Sequence, residues 1–136
     1  MTLKLIIEPH LSKMAVKDLI ETKKCLFFCN GGSCKRKETT DFVQATRKTI
    51  KDMGLDDKYH TVRTMCMGRC DDAPVALLAP DNIWLQNISS EGAPELLGRI
   101  ESNDVKNSRH FMYQMGDKHI KSNSIPTKFR ANNNYE

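Results

Sequence analysis

Lys24-Cys25-Leu26-Phe27-Phe28-Cys29-Asn30-Gly31-Gly32-Ser33-Cys34 and Thr61-Val62-Arg63-Thr64-Met65-Cys66-Met67-Gly68-Arg69-Cys70 are the two stretches on which the fold turns. Each is an apolar run with strand character that leads into a glycine-containing loop framed by two cysteines. Residues 35–65 contain no cysteine and read as a helical connection. Thr39 or Thr40 can cap that helix, Phe42, Val43, Thr46, Ile50 and Met53 recur at helical spacing, and Gly54 stands where a helix ends. A strand-helix-strand unit with a right-handed crossover sets its two strands side by side and parallel. Both cysteine pairs then lie at the carboxyl ends of neighbouring strands, where open α/β sheets hold their ligands.

The chain extends this unit in both directions. Lys24 to Phe28 reads as a strand buried on both faces, and Tyr59 to Met65 as its parallel neighbour. Val75 to Ala79 is a third strand, and Pro80-Asp81-Asn82 turns it into an antiparallel fourth, Ile83 to Asn87. A closing helix follows over Pro94 to Ile100, with Ser89 or Ser90 as cap. The expected fold class is α/β, thioredoxin-like, with a mixed sheet of about four strands and flanking helices. Upstream, Ser12 can cap a short helix over residues 13–22. Three segments result: an N-terminal extension at 1–23, a domain at 24–101, and a polar basic C-terminal tail at 102–136 whose Asn, Ser, Lys and Gly content offers no core face.

Composition narrows the chemistry. A chain of 136 residues, 39% hydrophobic and 28% charged, is enough for one modest core. No apolar run approaches the about 18–20 residues of a membrane-crossing helix, and Met1-Thr-Leu-Lys-Leu-Ile-Ile-Glu lacks a secretory signal's long apolar region, so the expected location is the cytoplasm. Five cysteines in such a chain point to metal ligands or redox groups, because cytosolic thiols are kept reduced. The formal charge of +4 comes mostly from residues 102–136, with six Lys and Arg against three acids. One Trp and no aromatic-interleaved basic stripe argue against a nucleic-acid partner.

Four cysteines grouped two and two are compatible with several chemistries. A 2Fe-2S cluster takes four thiolates, and glycine-containing loops let backbone N–H groups reach its sulfurs; Gly31, Gly32 and Gly68 supply that freedom. Structural zinc also takes four thiolates, and both pair spacings fall within its range. Thiol-disulfide exchange would need a Cys-x-x-Cys, which is absent. Scattered core cysteines fit poorly with four of the five in polar loops. Spacing alone leaves cluster, zinc and redox thiol open.

Cys29-x4-Cys34, followed by Cys66-Met-Gly-Arg-Cys70-Asp-Asp-Ala-Pro-Val and an apolar strand, resembles the thioredoxin-like 2Fe-2S ferredoxins. It is also similar to the small 2Fe-2S subunit of respiratory NADH dehydrogenase. The resemblance covers about residues 24–101 and implies Cys29, Cys34, Cys66 and Cys70 as cluster ligands. It further implies a one-electron carrier or electron-transfer subunit without its own catalytic site. Its partners would be redox proteins, and a homodimer is compatible with it. The first cysteine pair is closer together than in many free members of that family, and the tail matches neither type. Lys35, Arg36, Lys37 and Arg69 could ease reduction or guide docking, opposed by Asp71 and Asp72. Met65, at a strand end, reads as core, and so does Cys25, which at about 3.3 Å per residue is about 13 Å from Cys29. His60 begins the second strand and is too far from Cys66 to replace a thiolate; His10, His110 and His119 read as surface groups of the extensions.

Overall fold

The computed structural model describes residues 16–32 and 39–120. Strand β1 (Lys24–Cys29) is followed by helix α1 (Thr39–Asp52) and strand β2 (Tyr59–Thr64). A 3-10 turn at Cys70–Asp72 leads to strands β3 (Ala76–Ala79) and β4 (Ile83–Leu85), helix α2 (Ala93–Glu101), a second 3-10 turn at Val105–Asn107 and strand β5 (Phe111–Gln114). The sheet order is β2-β1-β3-β4-β5. Only β1 and β2 run parallel; every other neighbouring pair is antiparallel. The α/β expectation holds, with five strands among the described residues instead of about four.

Alternation along the strands divides the sheet into two unlike faces. Leu26, Phe28, Ala76, Leu78, Ile83 and Leu85 face both helices and form the main core with Phe42, Val43 and Ile50 of α1 and Leu96, Leu97 and Ile100 of α2. The Phe28 and Phe42 rings meet edge to face, centroids 5.3 Å apart, a geometry that suits their opposed quadrupoles. The two helices pack on each other and share this one face. β1 is therefore not buried on both faces as expected: on the opposite side Cys25 and Phe27 are half-buried. The strand register sets a row of half-buried apolar residues across that side, Val62, Phe27, Leu77, Trp84 and Tyr113, one from each strand.

The expected helix at 13–22 falls partly outside the described residues; within them, 16–22 hold a turn, with Val16, Leu19 and Ile20 exposed. Met53, expected on the core face of α1, follows the helix end and is exposed. At α2 the cap position is Gly92, whose N–H donates to Ser89 Oγ at 3.3 Å, and Pro94 occupies the first turn as expected.

The boundary expected after Glu101 needs correction. The chain runs on through a 3-10 turn into β5, which pairs with β4 and completes the sheet. Val105, Phe111 and Met112 are buried. Phe111 pairs with Leu85 and Tyr113 with Trp84, so Met112 is the extra residue of a bulge. Residues 121–136 of the expected tail lie outside the described residues.

His110 is the other departure in this segment, for it is 3% exposed and not a surface histidine. Its backbone carbonyl accepts from Gln86 N–H at 2.8 Å, and its Nδ1 lies 3.0 Å from the Gln86 carbonyl, which makes Nδ1–H the donor. Burial lowers the imidazole pKa; Arg109 acts in the same direction, while the Gln86 carbonyl and Glu95 act against it. The neutral form is thus the folded form. As pH falls through about 6.5, the unfolded chain takes up a proton that the folded chain still refuses, and stability present above that pH is lost toward the lower folded value. Urea unfolding at pH 7.5 and pH 5 is expected to show a loss approaching at most about 1.4 kcal/mol per pH unit from this group. The His110→Gln variant should be less acid-sensitive than the natural chain by that amount, and equal acid sensitivity in the two would count against a buried neutral imidazole.

Candidate metal centre

Parallel pairing of β1 with β2 brings three of the four expected ligand positions to one end of the sheet. Cys29 closes β1 opposite Thr64, and its N–H donates to Val75 O at 3.0 Å. Asn30 N–H donates to Thr64 O at 3.0 Å, which carries the strand pairing one residue into the first loop. Cys29 is 3% exposed and packs with Ala73, Val75, Met67 and Trp84 on the face away from the helices. Cys66 and Cys70 follow on the loop after β2, the first exposed and the second half-buried. Cys34, Lys35, Arg36 and Lys37 lie outside the described residues.

The thiols are held by backbone donors. Met67 N–H points at Cys29 Sγ at 3.4 Å and Gly68 N–H at Cys66 Sγ at 3.3 Å. Gly68 has φ +87°, a backbone conformation that glycine adopts without the Cβ penalty. Cys66 Sγ and Cys70 Sγ are 3.9 Å apart. That is far from the about 2.05 Å of a disulfide. It is close to the about 3.8 Å that separates two sulfurs each about 2.3 Å from one tetrahedral metal.

The loop between these two cysteines is anchored by Arg69 and Asp72. Arg69 Nη2 and Nε lie 2.7 and 2.9 Å from Asp72 Oδ2, and the Asp72 side chain is 3% exposed. Asp72 O also accepts Asn87 N–H at 3.0 Å, and Pro74 O accepts Ile88 N–H at 3.3 Å. Asp72 is therefore a structural lock of the ligand loop, and Arg69 is committed to it. The acid doublet in Cys-Asp-Asp was the sequence signal for that lock, although the doublet alone reads as opposing charge. Met65 is 85% exposed and not core, because β2 ends at Thr64 and the chain turns outward.

Cys25 sits on the same sheet face as Cys29, half-buried, with its thiol pKa raised by burial. It is held away from the site by the extended strand between them. Among the described residues no three His, Cys, Asp or Glu side chains gather around a single point for one metal ion. A 2Fe-2S cluster would be held by thiolates of both loops, of which the described residues include Cys29, Cys66 and Cys70. The three described cysteines, with backbone N–H groups aimed at two of their sulfurs, have the donor chemistry such a group takes.

No protein-family model matches the chain. It is 40% identical over 76 residues to a protein of Priestia megaterium named "Putative 2Fe-2S ferredoxin", an alignment that covers 56% of this chain and 59% of the relative. It is 23% identical over 96 residues to "Ferredoxin, 2Fe-2S" of Clostridium pasteurianum, covering 64% of this chain and 94% of that one. A solved thioredoxin-like [2Fe-2S] ferredoxin from Aquifex aeolicus superposes with TM-score 0.64 at 21% identity, over 71% of this chain and 96% of the other. A second structure of the wild-type Aquifex protein gives TM-score 0.63 at 22% identity, over 68% and 99%. The fold is thioredoxin-like, and in sequence the chain is similar to proteins named 2Fe-2S ferredoxins.

Proposed function

We propose that the chain is a one-electron carrier, or the electron-transfer subunit of a redox complex, that binds a 2Fe-2S cluster through Cys29, Cys34, Cys66 and Cys70. The observation that carries a metal site here is the 3.9 Å separation of Cys66 Sγ and Cys70 Sγ, beside a third cysteine at the end of the adjoining strand; zinc would share that spacing, and the reading of the metal as a cluster rests on the chain's relatives. The ferredoxin names of its curated relatives support it. When bound, such a cluster takes up and returns one electron.

The residues of the chain act by holding and shielding it. Cys29 lies in an apolar setting that keeps water from one side, while exposed Cys66 brings the other side to the surface where a redox protein can dock. N–H groups of Met67 and Gly68 direct positive dipoles at the thiolates and so favour the added negative charge of the reduced state. The partners are redox proteins, a second copy of the chain is compatible with the reading, and the site does no catalysis of its own. No helix among the described residues is long and apolar enough to cross a membrane; the proposed location is the cytoplasm, where free thiols persist.

Electron-spin resonance tests the carrier role. The anaerobically purified chain should be silent as isolated and give one signal after uptake of one electron per chain. A chain that accepts no electron from a strong reductant would contradict the proposal.

A further inference from the structure

The two cysteine loops touch at Gly31. A Cβ built there would lie 2.8 Å from Cys66 Cβ, 2.9 Å from Cys66 Cα and 3.3 Å from Cys66 N. These neighbours are backbone or directly attached to it, so no flexible side-chain tip can swing aside. The displacement cannot easily spread into the sheet either, because the bonds from Asn30 N–H to Thr64 O and from Cys29 N–H to Val75 O pin the preceding residues. It must fall on the loops. Gly68 differs, since a Cβ there meets nothing within 4 Å and only its φ is demanding.

We propose that Gly31 is a positioning residue for the cluster: its missing side chain lets the backbone just after Cys29 lie against Cys66, and so sets the spacing between Cys29 and the second cysteine loop. The inference rests on the 2Fe-2S reading of the site. It connects two features that are separate in sequence, a glycine of the first loop and a ligand of the second. Pushing the loops apart also lengthens the contact from Met67 N–H to Cys29 Sγ, now 3.4 Å. A sulfur that loses a donor holds added negative charge less well, so the potential should become more negative.

The test uses the full chain with its cluster, as Gly31→Ala and, for control, as Gly98→Ala, a helix position where a Cβ meets nothing within 4 Å. Gly31→Ala is expected to keep its far-ultraviolet circular dichroism, release iron to a ferrous chelator at least tenfold faster, change its visible circular dichroism, and shift its midpoint potential downward. Gly98→Ala should match the natural chain. A Gly31→Ala protein identical to the natural one in release rate, visible spectrum and potential would overturn the proposal. So would one that fails to fold, because the effect is assigned to the loops alone. A natural chain that carries no iron would instead remove the cluster reading on which the inference rests.

Discussion

Ending the chain at Glu101 is expected to abolish the folded domain. The cut removes β5 and, with it, Val105, Phe111 and Met112, all buried, together with the backbone bond from Gln86 N–H to His110 O. Truncating a single large core side chain costs about 2–5 kcal/mol, and three such losses reach the about 5–15 kcal/mol that holds a typical domain together. β4 would also become an unprotected edge. The site is expected to fail with the fold, because Met112 and Tyr113 line an apolar recess of about 230 Å³ together with Met67, the residue whose N–H meets Cys29, and Trp84. Circular dichroism and urea unfolding of residues 1–101 should show no cooperative transition and no bound iron. A truncated chain that unfolds cooperatively near the full-length midpoint would show that β5 contributes nothing to the core.

Replacing Cys29, Cys34, Cys66 or Cys70 by Ala, one at a time, should lower cluster content at least tenfold in each case, whereas Cys25→Ser should retain it in full. Each of the four substitutions removes one ligand from a site whose metal-binding energy also holds the loops. Cys25 lies about 13 Å along an extended strand from Cys29, and burial raises its thiol pKa, which disfavours the thiolate a metal needs. Iron and sulfide analysis of the five variants separates the two groups. Equal retention in Cys70→Ala and Cys25→Ser would remove Cys70 from the ligand set, and loss of the cluster in Cys25→Ser would place that residue in it.

The parts of the fold legible in the chain were those with strong local periodicity. β1, α1 and β2 follow from Phe27 and Phe28, from the spacing of Phe42, Val43, Thr46 and Ile50, and from the run after Tyr59; the turn at Pro80-Asp81-Asn82 was equally plain, with Asn82 at φ 61°. β5 was not, because Phe111-Met112-Tyr113-Gln114 is only four residues long within a polar, basic segment, and average composition outweighs so short a run. Its stability comes from pairing with β4, which is a tertiary fact. The same reason hides His110, whose burial depends on the segment that forms β5. Met65 misled in the opposite direction: an apolar residue at a strand end reads as core until the strand is seen to stop one residue earlier. At the candidate site, the strand-helix-strand reading placed Cys29 at the end of β1 and Cys66 and Cys70 just beyond β2, while Cys34 lies outside the described residues. The contact of Gly31 with Cys66 and the anchoring of Arg69 by Asp72 depend on how the two loops meet, and spacing carries no trace of that.

The most direct test of the account is the metal itself. The full chain, expressed with ample iron and purified without air, should be reddish-brown and contain two iron and two acid-labile sulfide per chain. Zinc binds four thiolates with the same sulfur spacing but has a filled d shell, and so has neither colour nor a redox step. A colourless chain with one tightly bound zinc and no sulfide would contradict the electron-transfer account.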